Sequence, residues 1–139
     1  MRVFVDGACA GNGTPQAKAG WGYVAKLDNG AVLRRNGDVP GEQTNNRAEL
    51  YGLLMAASLI KQLHEETGLK AVELIMDSEI VVNGVLGKAK RRSNRDLWSQ
   101  VEDLFGKLRG NVTVSIRHVP REANAEADAL ASQAANSLI

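Results

Sequence analysis

Thr44-Asn45-Asn46-Arg47-Ala48-Glu49-Leu50 follows a polar loop and opens a run in which Leu50, Leu53, Leu54, Ala57 and Leu63, flanked by Ala56 and Ile60, recur at helical spacing. That period predicts a helix over about residues 46–66, ended by Gly68 and buried along one face. A helix so held keeps the carboxylate of Glu49, in its first turn, rigid and aimed past that end of the fold. The same residues admit a plainer use. Asn46 followed three positions later by Glu49 is close to a capping box, in which both side chains only satisfy free backbone amides. The choice between the two depends on whether other carboxylates arrive at the same place.

Working toward the N-terminus, residues 38–45 form a polar loop with Pro40 and Gly41. Before it, residues 20–27 and 31–37 read as two strands joined by Asp28-Asn29-Gly30, a strong hairpin signal. Residues 10–19 are too rich in turn formers to be regular. Residues 2–9 begin with the compact apolar run Val3-Phe4-Val5 of a strand covered on both faces, and run into Asp6-Gly7. Asp6 is thus a candidate at a strand end, although Asp-Gly alone also opens turns.

Working toward the C-terminus, Ala71 to Met76 is a second apolar run that closes on an acid, Asp77, followed by Ser78-Glu79 and a short helical segment to about Leu86. A strand, helix, strand connection in one sheet makes a parallel crossover, so 71–77 can lie beside the first strand and bring Asp77 next to Asp6. Asp77 could equally serve, with Ser78, as a helix cap. Residues 87–95 carry Lys88, Lys90, Arg91, Arg92 and Arg95, the one dense charge run, which is either a phosphate grip or a solvated loop. A helix over about 94–107 puts Leu97, Val101, Leu104 and Leu108 on one stripe, with Trp98 and Phe105 as core residues beside it. Val112, Val114 and Ile116 alternate with polar residues as a half-buried strand, and an alanine-rich helix runs from about Asn124 to Asn136 with Asp128 in its second turn. Read from its own residues, Asp128 is better placed facing solvent. The element order of three strands, helix, strand, two helices, strand, helix predicts an α/β fold: a mixed five-stranded sheet with helices on both faces.

The 139 residues are the size of one domain with its own core, and residues 1–139 are expected to form a single unit. With 17 Lys and Arg against 16 Asp and Glu the net charge is +1, so nucleic-acid binding must come from local patches. Cys9 is the only cysteine, which excludes an internal disulfide and a cysteine zinc cluster; His64 and His118 are too far apart for a zinc pattern. No targeting or membrane segment is legible, and a cytoplasmic monomer is the expectation.

Taken in order, Asp6-Gly-Ala-Cys with a Gly-Asn-Gly loop, Thr44-Asn-Asn-Arg-Ala-Glu-Leu, Met76-Asp-Ser and Asn124-Ala-Glu-Ala-Asp-Ala-Leu-Ala resemble the ribonuclease H family, type 1 branch, over essentially the whole chain. The resemblance implies that Asp6, Glu49, Asp77 and Asp128 are the family's four metal-binding acids. It raises Asp128 above what its own surroundings give. Four carboxylates converging on one spot repel unless a cation neutralises them, and magnesium, with manganese as a substitute, suits an all-oxygen site better than zinc. Two such ions support in-line phosphodiester hydrolysis. The implied activity is cleavage of the RNA strand of RNA·DNA hybrids to 5′-phosphate and 3′-hydroxyl ends. Asn12, Asn45 and Asn46 match family positions that contact the hybrid's minor groove, where the 2′-hydroxyl distinguishes RNA from DNA.

The sequence departs from the family pattern in three places. Glu79 stands where a substrate-contacting glutamine is common. The segment Arg117 to Ala123 is compact, as in the archaeal-like and reverse-transcriptase-like subgroup, so no catalytic histidine is carried onto His118, and Arg121 or Glu122 is the candidate in its place. The long basic handle is absent, leaving Lys88 to Arg95 to grip the DNA strand. The competing reading is a nucleic-acid-binding paralogue with weak or no cleavage, which the intact acid set disfavours. A structural domain detached from a larger polymerase is disfavoured by Met1 and by the final helix.

Overall fold

A computed structural model describes residues 1–91 and 93–137; Arg92, one of the residues expected at the substrate, lies outside the described residues. The elements are β1 (Arg2–Ala10), β2 (Lys18–Lys26), β3 (Val32–Asp38), α1 (Asn45–Thr67), β4 (Ala71–Met76), α2 (Glu79–Val85), α3 (Arg95–Leu108), β5 (Thr113–His118) and α4 (Ala125–Ala135), with a 3-10 turn at Arg121–Asn124 before α4. The five strands form one sheet in the order β3-β2-β1-β4-β5. β1, β2 and β3 pair antiparallel, whereas β4 joins β1, and β5 joins β4, in parallel. The expected mixed sheet and element order are therefore observed.

Two boundaries differ from the sequence reading in ways that matter for function. Asp6 does not end its strand: β2 begins at Lys18 and pairs along β1 as far as Ala10, so Asp6 lies opposite Gly22 in mid-strand. What ends near it is the parallel ladder, whose last pair is Val5 with Met76. Beyond that pair β4 turns away, and Asp6 and Asp77 are the first residues past the split. The second difference is at α1. Its N-cap is Thr44, whose hydroxyl accepts from the Arg47 amide at 3.2 Å, and Asn12 Oδ1 accepts from the Asn45 amide at 3.2 Å. The helix therefore starts one residue early, Glu49 belongs to its second turn, and the Asn45 and Arg47 amides are satisfied without it. The capping-box reading of Glu49 is thereby removed.

Successive strand residues face opposite sides of the sheet. Val3 and Val5 on β1 and Trp21, Tyr23 and Ala25 on β2 pack with Leu50, Leu53 and Ile60 of α1 in the main core, which continues to Leu97 and Val101 of α3. The intervening Gly20 and Gly22 face α4 instead. Their added Cβ atoms would lie 2.5 Å from the Ala135 amide nitrogen and 2.7 Å from the Leu130 Cβ, so glycine here lets the α4 backbone lie almost on the sheet, behind Ala127 and Ala131. Gly7 does the same on the other side: its Cβ would sit 2.2 Å from the Glu49 nitrogen. Trp98 and the partly buried Phe105 belong to the core, as their spacing predicts.

Candidate active site

The two close helix approaches converge on the split in the sheet. β1 supplies Asp6, which is 3% exposed; α1 supplies Glu49 through the Gly7 contact; the turn after β4 supplies Asp77; and α4, seated on Gly20 and Gly22, supplies Asp128. Carboxylate oxygens of Asp6, Glu49 and Asp77 lie within 4.8 Å of one another. Asp128, half-buried in the first turn of α4, is within hydrogen-bonding reach of Asp6 and also pairs with Arg121, whose Nη2 is 3.6 Å from its Oδ1. The solvent-facing alternative for Asp128 does not hold. Asp6, Glu49, Asp77 and Arg121 line a cleft of about 460 Å³ whose walls continue along Ala8, Cys9 and Ala10 to Ser132 on α4 and its C-cap Asn136.

Charge crowding shows in the acid strengths. Burial is the main force pushing Asp6 up to about 9, with its hydrogen bond to Asp128 and the charge of Asp77 adding to it. Glu49 is raised to about 7, again mainly by burial and then by Asp77, against the opposing pull of a Ser78 hydrogen bond and of Arg121. Asp6 and Glu49, both raised and both beside Asp77, form with it in an open cleft a donor set for a hard divalent cation, whose charge would oppose these shifts. Such an all-oxygen set suits magnesium or manganese chemistry and has none of the sulfur or imidazole of a zinc site.

The remaining candidates fall into two groups. Asn45 and Arg121 line the acid cleft, Asn12 is exposed and holds the Asn45 amide beside it, and Asn46 is exposed one residue further on, lining a separate shallow pocket. Glu79, at the first position of α2, lines a separate open groove with Ile80, Asn83 and Lys90. Lys88 and Lys90 are exposed. Arg91 is committed inside the fold: its guanidinium lies 4.3 Å from the Trp98 ring centroid, its Nε donates to the Gly84 carbonyl at 3.0 Å, and its Nη1 pairs with Glu102. It fastens the basic segment rather than offering a free charge. Ser78, buried, does cap α2, but sequence reasoning missed its hydrogen bond to Glu49, and it missed the glycines that admit α1 and α4. Glycines inside otherwise strand-forming runs were the available signal.

The RNase H family model matches residues 1–136. The chain belongs to the ribonuclease H family. Among its relatives, ribonuclease HI of Halobacterium salinarum is 34% identical over 143 residues, covering 96% of this chain and 63% of the relative, so this chain spans less than two thirds of that protein's length. The crystal structure of RNase H1 from the same archaeon superimposes with a TM-score of 0.75 at 30% identity, covering 96% of this chain and 95% of that one. LC11-RNase H1, isolated from compost by a metagenomic approach and solved in complex with an RNA/DNA hybrid, gives a TM-score of 0.82 at 27% identity, with 97% and 96% of the two chains covered. These neighbours put the chain in the type 1 branch, as a ribonuclease H enzyme. None of its described helices is long and apolar enough to cross a membrane.

Proposed function

We propose that this ribonuclease H hydrolyses the RNA strand of RNA·DNA hybrids, leaving 5′-phosphate and 3′-hydroxyl ends, with two divalent ions, magnesium by preference, held by Asp6, Glu49, Asp77 and Asp128. The observation that carries the reading is the convergence of Asp6, Glu49 and Asp77, from β1, α1 and the turn after β4, on one open cleft, with Asp128 of α4 within reach of Asp6. The hybrid-bound LC11-RNase H1 supports the substrate class. When bound, the ions would supply activation of water and neutralisation of the charge that develops on the leaving oxygen. The chain's own residues provide the rest. Asp6 and Asp77 fix the centre from the rigid sheet, Glu49 is held by α1 and oriented by Ser78, and Arg121 stands beside Asp128 to meet negative charge at the cleft mouth. Asn12, Asn45 and Asn46 read the minor groove, where a 2′-hydroxyl offers both donor and acceptor. Lys88 and Lys90 grip the DNA strand. We take the working unit to be a cytoplasmic monomer of one domain, with which a single free cysteine is compatible.

The test is cleavage of an end-labelled hybrid with and without Mg²⁺. Cleavage should require the metal and should be lost in Asp77→Asn, which keeps the shape but removes a charge from the site, by about 100-fold or more. Full activity of that variant contradicts the assignment. Hybrid binding with no cleavage under any divalent metal supports a binding paralogue instead.

A further inference from the structure

Arg47 lies in sequence between the minor-groove asparagines and Glu49, and neither the acid site nor the substrate contacts proposed above make use of it. Its side chain is 10% exposed. Nη1 and Nη2 donate to the two carboxylate oxygens of Asp96 at 3.0 and 2.8 Å, Nη1 also reaches Asn94 Oδ1 at 3.3 Å, and Nε donates to the Pro40 carbonyl at 2.8 Å. Gly41, at φ +83°, lies against the same group; an added Cβ would be 2.9 Å from Nη2. One planar fork thus ties together the 38–44 loop, the first turn of α1 and the start of α3. The α3 end is itself unusual, because its N-cap residue Asn94 adopts a left-handed φ of 58° and makes no side-chain cap bond. Asn46 and Lys90, on the two sides of this tie, line one shallow surface pocket together with Asn94.

We propose that Arg47, acting through Asp96, is a positioning residue for the hybrid: it sets the spacing between Asn45 and Asn46 on α1 and the basic segment that leads into α3. The inference rests on the hybrid being the substrate. A duplex is stiff, so two sets of contacts made by different elements work together only if their spacing is fixed beforehand. Three of the four acids stand on other elements, and Glu49, in the next turn of α1, is held there by the Gly7 contact and Ser78, so loosening this tie should affect binding and leave the chemical step alone. An ion pair whose acid is 59% exposed adds little to stability. Lysine, a point charge without the fork, cannot hold three partners in one plane.

The experiment compares Arg47→Lys, Asp96→Asn and a distant core control, Ile60→Val, for hybrid Kd, KM, kcat and Tm. Both tie variants should raise Kd and KM about tenfold with kcat within about twofold, and the double variant should be no worse than either single. Ile60→Val should lower Tm with KM unchanged. The proposal is overturned if Arg47→Lys and Asp96→Asn bind as the wild type does, if KM simply follows Tm across all three variants, or if kcat falls with KM constant. A wild-type chain that neither binds nor cleaves the hybrid overturns the function on which the proposal rests; a cleaving wild type with unaffected variants overturns the positioning role alone.

Discussion

Asp6 is the most constrained acid in the molecule, and its constraint has a sign that can be measured. Its folded value of about 9 is above the ordinary 3.8, so between those limits the metal-free fold holds a proton that the unfolded chain has released. The contribution to stability is full below about pH 4 and is lost as pH rises toward 9, with Glu49, raised to about 7, acting in the same direction. A divalent ion entering the cluster must displace those protons. At pH 7, Mg²⁺ binding should therefore release protons, and apparent affinity should rise between pH 6 and about 9; calorimetry in buffers of different ionisation enthalpy reads both. Binding without proton release at pH 7 would remove this account of the cluster. Glu79 provides a second test at this scale. It is exposed and sits two residues after Asp77, where its charge would face substrate phosphates. Glu79→Gln should tighten hybrid binding, most at low salt where screening is weakest. If the substitution abolishes cleavage and spares binding, Glu79 belongs with the catalytic acids.

Elements carry these residues to one place through contacts that only glycine permits. Gly7→Ala would drive a methyl group to 2.2 Å from the backbone nitrogen of Glu49, a clash with main chain that no rotamer relieves. We expect it to cost about 2–3 kcal/mol of stability and to reduce cleavage further by displacing Glu49, as thermal denaturation and the hybrid assay on the folded fraction would report. Wild-type stability would show that α1 moves away freely. This scale also marks how far the sequence could be read. The helical period of Leu50 to Leu63, the Asn29-Gly30 hairpin and the alternation of Val112 to Ile116 each signal an element through local pattern, and all three elements are present. Where a strand's neighbour decides the outcome, local pattern gives out. Asp6 looks like a strand end because Gly7 follows it, yet β2 prolongs β1 by four residues. Asp128 looks solvent-facing on an alanine-rich helix until Gly20 and Gly22 bring that helix onto the sheet. Arg91, counted from the sequence as one more free cation, is taken by Trp98, Gly84 and Glu102.

For the whole molecule, a net charge of +1 provides no general attraction for a polyanion, so affinity for a hybrid must be local and salt-sensitive. Replacing Lys88 and Lys90 together by alanine should weaken hybrid binding and lower the slope of log K against log salt by about 1 per lost phosphate contact, with kcat preserved. An unchanged slope would make the segment a solvated loop.

The acids also come from opposite ends of the chain: Asp6 is in the first strand and Asp128 in the last helix. The cleft is therefore closed by a long-range contact: without α4 seated on Gly20 and Gly22, Asp6 loses the carboxylate of Asp128 beside it, while Glu49 and Asp77 keep their own supports.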